Sequence, residues 1–193
     1  YGFDAVEEAC NQASISCFNV VDPVVEHVAE FLPDSKIGVI GTKGTISSRV
    51  YLNRLKKLAP EIKAVSAATP LLAPMIEEGY FANNISQTII DSYLSKPTFK
   101  GIEVIVLGCT HYPLIKSEVD KYYKGKVKII DSAEVVARSV ARKLTESKLT
   151  STAKTPCKLR FFVSDFTTSF AKSSIIFFGE RVDLTEVRLW DQL

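Results

Sequence analysis

The sequence has little of what several common kinds of site require. It holds only two histidines, His27 and His111, and four cysteines at irregular spacings, so a structural zinc site has almost no ligands. The charges balance, with 24 Lys and Arg against 22 Asp and Glu, and the basic residues are spread along the chain. We therefore expect neither a bound metal nor a nucleic-acid partner.

Long hydrophobic runs are also missing. The longest ones, such as 104–107 and 175–178, have the length of a strand or half a helix, whereas a membrane helix needs roughly 18 apolar residues. We therefore expect no membrane-spanning segment. The irregular cysteine spacing, without a basic-then-apolar leader, favours reduced thiols and a cytoplasmic location.

Apolar, strand-like runs alternate with amphipathic segments, which is typical of an α/β protein with a largely parallel sheet. The predicted strands are 17–21, 36–40, 62–66, 104–107, 127–130 and 159–163. The predicted helices are 23–31, 47–58, 72–78, 85–94, 114–123, 133–145 and 168–178. The polar stretch 147–156 predicts a linker or exposed loop. In such sheets the working residues gather in the loops at the carboxyl ends of the strands.

Three of these loops carry candidate site residues, and the first is the turn 41–45 after the strand 36–40. Its amides and the hydroxyls of Thr42 and Thr45 could hold an anion at the start of a helix. Alternatively, its glycines only form a tight turn, and Thr45 or Ser47 caps the helix. The sequence leaves both interpretations open. The Gly-Lys-Ser/Thr ending of a P-loop is absent.

The second loop, 108–113, directly follows the apolar strand 104–107 and contains Cys109, Thr110 and His111. A thiol near a helix N-terminus and an imidazole is expected to have a lowered pKa. Thr110 and His111 add a hydroxyl and an imidazole that can hold a carboxylate or polarise a carbonyl. The alternative is a small buried cysteine beside a structural histidine. The clustering in one turn favours a reactive thiol.

The third loop region follows Thr69 and Pro70, where a short helix ends in Glu77, Glu78 and Gly79. The glycine suits a helix C-terminus. Glu77 could accept a hydrogen bond from a substrate ammonium group. A solvated helix end is the alternative interpretation.

The run Gly-Cys-Thr-His-Tyr-Pro-Leu at 108–114 resembles the second catalytic signature of the glutamate racemases, within the aspartate/glutamate racemase superfamily. Further stretches are similar in the same order and at similar spacings. They are Val-Val-Asp-Pro at 20–23, Ile-Gly-Val-Ile-Gly-Thr-Lys-Gly-Thr at 37–45, Pro-Met-Ile-Glu-Glu-Gly at 74–79 and Ile-Asp-Ser-Ala at 130–133. The resemblance covers nearly the whole chain.

The resemblance implies cofactor-independent interconversion of L- and D-glutamate, which supplies D-glutamate for peptidoglycan in the cell wall. Two cysteines act on opposite faces of the substrate, because a single base returns the proton to the face it came from. Cys109 matches the base for the L-isomer, and His111 is placed to assist it. By the same matching Thr110 and His111 contact the substrate, and Thr45 and Glu77 line the pocket. Aspartate is the alternative substrate, and a homodimer is compatible with the family.

The family fold implied is two similar three-layer α/β domains with the active site between them. On that template, residues 1–22 are a remnant of the first domain, 23–131 form the second domain with the Cys-Thr-His loop, and 132–193 return to the first. The first domain is then incomplete in this chain.

The family's first signature, Ala-Cys-Asn-Thr/Ser, has no good match here. Ala9-Cys10-Asn11 imitates it, but Cys10 lies only 13 positions before Pro23 and in a helix-like pattern with Phe3 and Val6. We therefore assign Cys10 no catalytic role and expect the segment with the first catalytic cysteine to be absent. The chain alone is then expected to have little or no racemase activity.

Two further interpretations remain open. One is a non-catalytic module that binds an amino acid with its anion-holding loops. Cys109 and His111 also form a candidate nucleophile–base pair of a hydrolase. The sequence shows no convincing third residue to orient the imidazole, so we disfavour the hydrolase.

Overall fold

A computed structural model describes residues 3–151 and 158–188 of the chain. The helices are α1 (Phe3–Gln12), α2 (Asp22–Phe31), α3 (Lys43–Ser47), α4 (Val50–Leu58), α5 (Leu72–Glu77), α6 (Asn84–Leu94), α7 (Lys116–Tyr123), α8 (Ser132–Glu146) and α9 (Thr168–Phe178). The strands are β1 (Ile37–Gly41), β2 (Ala64–Ala68), β3 (Val104–Leu107), β4 (Lys128–Asp131), β5 (Phe161–Val163) and β6 (Leu184–Glu186). Short 3-10 turns cover Pro97–Phe99 and Tyr112–Ile115.

Strands β1 to β4 form one parallel sheet in the order β2-β1-β3-β4. In β1, Ile37 pairs with Ala64 on one side and with Val104 on the other, and Val104 in turn pairs with Lys128. Parallel neighbours require long crossovers, which helices supply here. The predicted α/β fold with a parallel sheet is confirmed. Because the four strands run in one direction, their carboxyl ends meet at a single edge.

A helical layer covers each face of this sheet, because successive side chains of a strand point to opposite faces. On β3, Ile105 and Leu107 face the layer of α5, α6 and α7, whereas Val104 and Val106 face α2, α4 and α8. All four side chains are buried. The core therefore consists of two apolar layers separated by the sheet.

Two predicted helices begin differently in the structure. The predicted helix 47–58 is observed as α4, which starts only at Val50, because Arg49 adopts left-handed backbone angles (φ 55°) that an α-helix cannot contain. The separate short helix α3 precedes it and shares only Ser47 with the prediction. The predicted helix 114–123 starts as the 3-10 turn Tyr112–Ile115, and α7 follows only from Lys116.

The predicted strand 17–21 is wrong. The Asn19 side-chain oxygen accepts hydrogen bonds from the backbone amides of Val21 (2.9 Å) and Asp22 (2.7 Å), which forms a turn into α2. Phe18 and Val20 are exposed. Among the described residues no strand pairs with this apolar run, and it forms the turn that leads into α2.

A second, two-stranded parallel sheet joins β5 to β6, with Phe161 paired to Leu184. The predicted strand 159–163 starts two residues before the observed β5, and the predicted helix 168–178 matches α9. The sequence does not predict β6. The predicted loop 147–156 lies partly outside the described residues, and Cys157 lies wholly outside them. The helical pattern at Phe3 to Cys10 is confirmed by α1.

The predicted division into 1–22, 23–131 and 132–193 stays a prediction. The sheet strands β1 to β4 all fall within 23–131. Helix α8, which begins at Ser132, packs against α2 through Val135 and Val136 on the same face of the sheet. Within residues 3–151 and 158–188, every helix is too short or too polar to cross a membrane.

Two isoleucines of α6 test this account of the core. Ile90 is fully buried, whereas Ile85, on the same helix, is 59% exposed. We expect Ile90→Ala to lower the free energy of unfolding by about 2–5 kcal/mol, because it leaves a cavity. Ile85→Ala should change it by less than about 0.5 kcal/mol. Urea unfolding of both variants measures the difference, and equal losses would contradict the assignment.

Candidate active site

The candidate site lies at the carboxyl edge of the four-stranded sheet, where hydrogen bonds continue past the strand ends. The amide of Thr69, after β2, donates to the carbonyl of Gly41 (2.9 Å). The amide of Gly108, after β3, donates to the carbonyl of Ile40 (2.8 Å). The loops that follow β2 and β3 are therefore held against the end of β1.

Gly108 is required by this close approach. A Cβ at this position would lie 2.8 Å from the Ile40 carbonyl oxygen and 3.3 Å from the Tyr51 ring. The first contact is with backbone and shorter than packed atoms tolerate, so a larger residue would displace the loop. The glycine thereby fixes where Cys109 leaves the sheet.

Cys109, His111 and Glu77 form a continuous line of side-chain contacts. The Cys109 Sγ lies 3.6 Å from His111 Nδ1, and His111 Nε2 lies 3.0 Å from Glu77 Oε1. A proton on Nε2 donates to the carboxylate and leaves the Nδ1 lone pair free to face the thiol. The structure therefore brings together a thiol, an imidazole and the carboxylate that orients it.

The electrostatics of Cys109 differ from the sequence prediction of a lowered pKa. Burial raises the pKa of the Cys109 thiol, the His111 backbone lowers it by hydrogen bonding, and the Glu77 carboxylate raises it further. Because desolvation is the largest effect, the net direction is upward. The predicted lowering of the Cys109 pKa is therefore wrong, and the thiol favours its protonated form near neutral pH.

A buried tyrosine joins the loop that contains Cys109 to the loop after β2. The Tyr112 hydroxyl lies 2.7 Å from Thr69 Oγ1 and donates to the Thr69 carbonyl oxygen (3.2 Å). Burial raises the pKa of Tyr112 to about 12. Because its neutral hydroxyl joins the loops after β2 and β3, Tyr112 fixes the spacing between them.

The other predicted site residues lie at the same edge but outside the contact line. Thr45 is in α3, its amide donates to Thr42 Oγ1 (3.3 Å), and the two hydroxyls lie 3.0 Å apart. A Cβ on Gly41 would meet Thr45 at 3.2 Å and the Gly108 carbonyl at 3.4 Å, so Thr45 is close to the cysteine loop. Thr110 is exposed beside Cys109.

Two aromatic neighbours of the site are not predicted by the sequence. The Phe177 ring of α9 lies 5.6 Å from the His111 ring, centroid to centroid. Tyr51 of α4 is buried beneath Gly108, and burial together with the Cys109 charge raises its pKa to about 12. Neither residue has a local signal, because both reach the site from distant helices by packing.

Metal ligands do not gather at this site. Among the residues with assigned positions, no group of three or more histidine, cysteine, aspartate or glutamate side chains has the geometry to hold an ion.

Comparison with known proteins places this geometry in a family. The family model described as Asp/Glu/Hydantoin racemase matches residues 1–140. The chain belongs to this racemase family. A glutamate racemase of Geobacter metallireducens is 35% identical over 96% of the chain and 69% of the relative. One from Sulfurihydrogenibium sp. is 30% identical over 97% of the chain and 75% of the relative.

Solved racemases share the fold. A glutamate racemase isoform from Bacillus anthracis superposes with a TM-score of 0.84 at 31% identity, over 97% of this chain and 69% of its own. The glutamate racemase of Francisella tularensis, solved in complex with D-glutamate, gives a TM-score of 0.79 at 31% identity. That match covers 90% of this chain and 64% of the Francisella protein. The chain thus spans about two thirds of the length of its racemase relatives.

The raised pKa of Cys109 predicts how its alkylation depends on pH. The thiolate is the reactive form, so the rate for Cys109 should rise about tenfold per pH unit through neutral pH and should still be rising where the rate for a simple thiol levels off. Iodoacetamide labelling, read from the Cys109 peptide by mass spectrometry, measures it against a simple thiol. A plateau near pH 7 would show a resting thiolate and contradict the burial argument.

Proposed function

We propose that the site moves the α-proton of glutamate, the chemistry of a glutamate racemase. The observation that carries the proposal is the contact line of Cys109, His111 and Glu77 on a racemase fold. The relatives of Geobacter and Sulfurihydrogenibium are glutamate racemases, and the Francisella racemase was solved with D-glutamate. These names favour glutamate over aspartate, which carries the same charges and is one methylene shorter.

The geometry suits Cys109 to both directions of a proton transfer. As an acid, its thiol gives a proton to the α-carbon of the carbanion and becomes a thiolate. As a base, it first passes its own proton to His111 Nδ1, 3.6 Å away, and then accepts the α-proton. The raised pKa of Cys109 makes the acid form the resting one. His111 is thus the group that gives access to the thiolate.

Inversion requires a second proton-transfer group on the opposite face of the substrate. His111 and Glu77 are the groups that act on the Cys109 thiol. Cys10 is in α1, Cys17 is in the loop after it, and the two interact with each other. We therefore propose that the groups which the described residues bring to this site exchange the α-proton of L-glutamate with retention of configuration, and that inversion needs a further base.

Thr45 and Thr110 complete the proposed pocket. Both hydroxyls lie beside the cysteine loop at the carboxyl edge of the sheet and can hydrogen-bond the substrate carboxylate. For the cell we propose that this chain, acting together with the further base, is part of a cytoplasmic enzyme that needs no cofactor, supplies D-glutamate for peptidoglycan and is compatible with a homodimer.

A cysteine hydrolase is a second candidate, because Glu77 is a residue that can orient the imidazole. A hydrolase forms a covalent bond between the Cys109 sulfur and an acyl group, whereas a racemase transfers only protons. A γ-glutamyl thioester as an acyl donor separates the two. A mass increase on the Cys109 peptide would favour the hydrolase.

The proposed proton transfer predicts deuterium exchange at the α-carbon. Incubated in deuterated water, L-glutamate should acquire an α-deuterium, while the fraction of D-glutamate stays near that of an enzyme-free control. Cys109→Ser should abolish the exchange, because the hydroxyl is a far weaker acid than the thiol and is almost never ionised to a base near neutral pH. NMR measures the exchange, and a chiral separation measures D-glutamate.

Each other outcome of this experiment is informative. Full racemisation by the wild-type chain would show that a second base, with Cys10 as the first candidate, is present after all. Absence of exchange would contradict the proposal and favour a binding module. Exchange that persists in Cys109→Ser would exclude Cys109 as the base.

Two neighbouring glutamates test the role assigned to Glu77. Glu77→Gln removes the charge that orients His111, so we expect the exchange rate to fall about tenfold or more, because a positioned base contributes about 10²- to 10⁴-fold. Glu78→Gln makes the same charge change at the exposed end of α5 and should leave the rate unchanged. Equal effects of the two changes would assign the loss to net charge.

A further inference from the structure

Helix α9 brings a third neighbour to the His111 imidazole. The rings of Phe177 and His111 are nearly perpendicular, at 77°, with centroids 5.6 Å apart. This is a favourable aromatic geometry. Helix α9 also packs against α5, the helix that ends at Glu77. Helix α9 therefore contacts both the His111 imidazole and the helix that carries Glu77.

The imidazole needs such a neighbour, because its polar contacts are open to water. The Glu77 side chain is 53% exposed and that of His111 is 28% exposed. A polar contact this exposed holds its partners weakly, since water competes for the carboxylate. The two ring nitrogens are directed by Cys109 and Glu77, whereas a flanking ring can limit how far the imidazole turns.

We propose that Phe177 is a positioning residue that holds the imidazole of His111 with Nδ1 toward Cys109 and Nε2 toward Glu77. It acts on the exchange only through His111, so its catalytic consequence rests on the proposed function. The orientation of the His111 ring does not depend on any activity. The effect of Phe177 on that orientation and its effect on the exchange rate can therefore be measured separately.

The next residue on α9 provides a matched control. Phe178 turns to Phe161 of β5, with ring centroids 4.7 Å apart at 62°. The two phenylalanines have similar exposure, 43% for Phe177 and 52% for Phe178. Removing either ring costs the helix a similar apolar surface, but of these two phenylalanines it is Phe177 whose ring contacts His111.

The test measures the ring nitrogens of the full chain by ¹⁵N NMR at about pH 8, where free imidazole is neutral. His27 is the only other histidine, so it serves as an internal reference. In the wild type, the protonated Nε2 and unprotonated Nδ1 of His111 should give well-separated signals. In Phe177→Ala these signals should converge toward those of free histidine, while Phe178→Ala leaves them unchanged.

The exchange assay and a conservative variant complete the test. Phe177→Ala should slow α-proton exchange about threefold to tenfold, because a misplaced catalytic group costs rate steeply. Phe177→Tyr keeps the ring and should retain the wild-type signals and rate. Unchanged His111 signals in Phe177→Ala, or an equal change in Phe178→Ala, would overturn the proposal. If wild-type exchange itself is absent, the proposed function fails, and the signals alone still decide the position of the imidazole.

Discussion

The site depends on hydrogen bonds that extend across the carboxyl edge of the sheet beyond its strands. The amides of Thr69 and Gly108 donate to the carbonyls of Gly41 and Ile40, and the Ser132 hydroxyl donates to the carbonyl of Leu107 (2.7 Å). Each loop is thereby tied to the end of a neighbouring strand. Because these bonds are short and backbone-directed, the loop containing Cys109 has little freedom to move relative to β1.

The buried Tyr112 and the exposed pair of Glu77 and His111 contribute differently to stability. Tyr112 is fully buried, and its hydroxyl is satisfied by Thr69, so replacing it would leave buried polar atoms unpaired at a cost of about 1–3 kcal/mol. The pair of Glu77 and His111 is exposed and contributes only about 0–1 kcal/mol to stability. Its value therefore lies in setting the proton position on His111.

The sequence predicts the sheet better than the site. The buried run Val104–Leu107 is a strand at the predicted residues, because four consecutive apolar residues suit a strand covered on both faces. The stretch 17–21, which is apolar except for Asn19, is not a strand, since pairing depends on a neighbouring strand that no local pattern reveals. The contact of Glu77 with His111 joins residues 34 positions apart on different elements, so only the fold shows it.

The error over the pKa of Cys109 shows how local structure decides the chemistry. The prediction assumed that a helix starts just after the thiol, but residues 112–115 form a single 3-10 turn and α7 begins only at Lys116. The N-terminus of the α-helix therefore lies further from the thiol than predicted, and the stabilising effect of a helix dipole falls off within its first turn. Burial then dominates and keeps the proton on sulfur.

For the proposed proton transfer, a protonated thiol in turn explains why the site needs all three side chains. To act as a base, Cys109 must transfer its proton to an acceptor, and the nearest one is Nδ1 of His111. Nδ1 accepts only while the ring proton resides on Nε2, and Glu77 favours that tautomer by accepting a hydrogen bond from it. The carboxylate thus acts on the sulfur through the imidazole, and losing either contact would leave the thiol in its resting form.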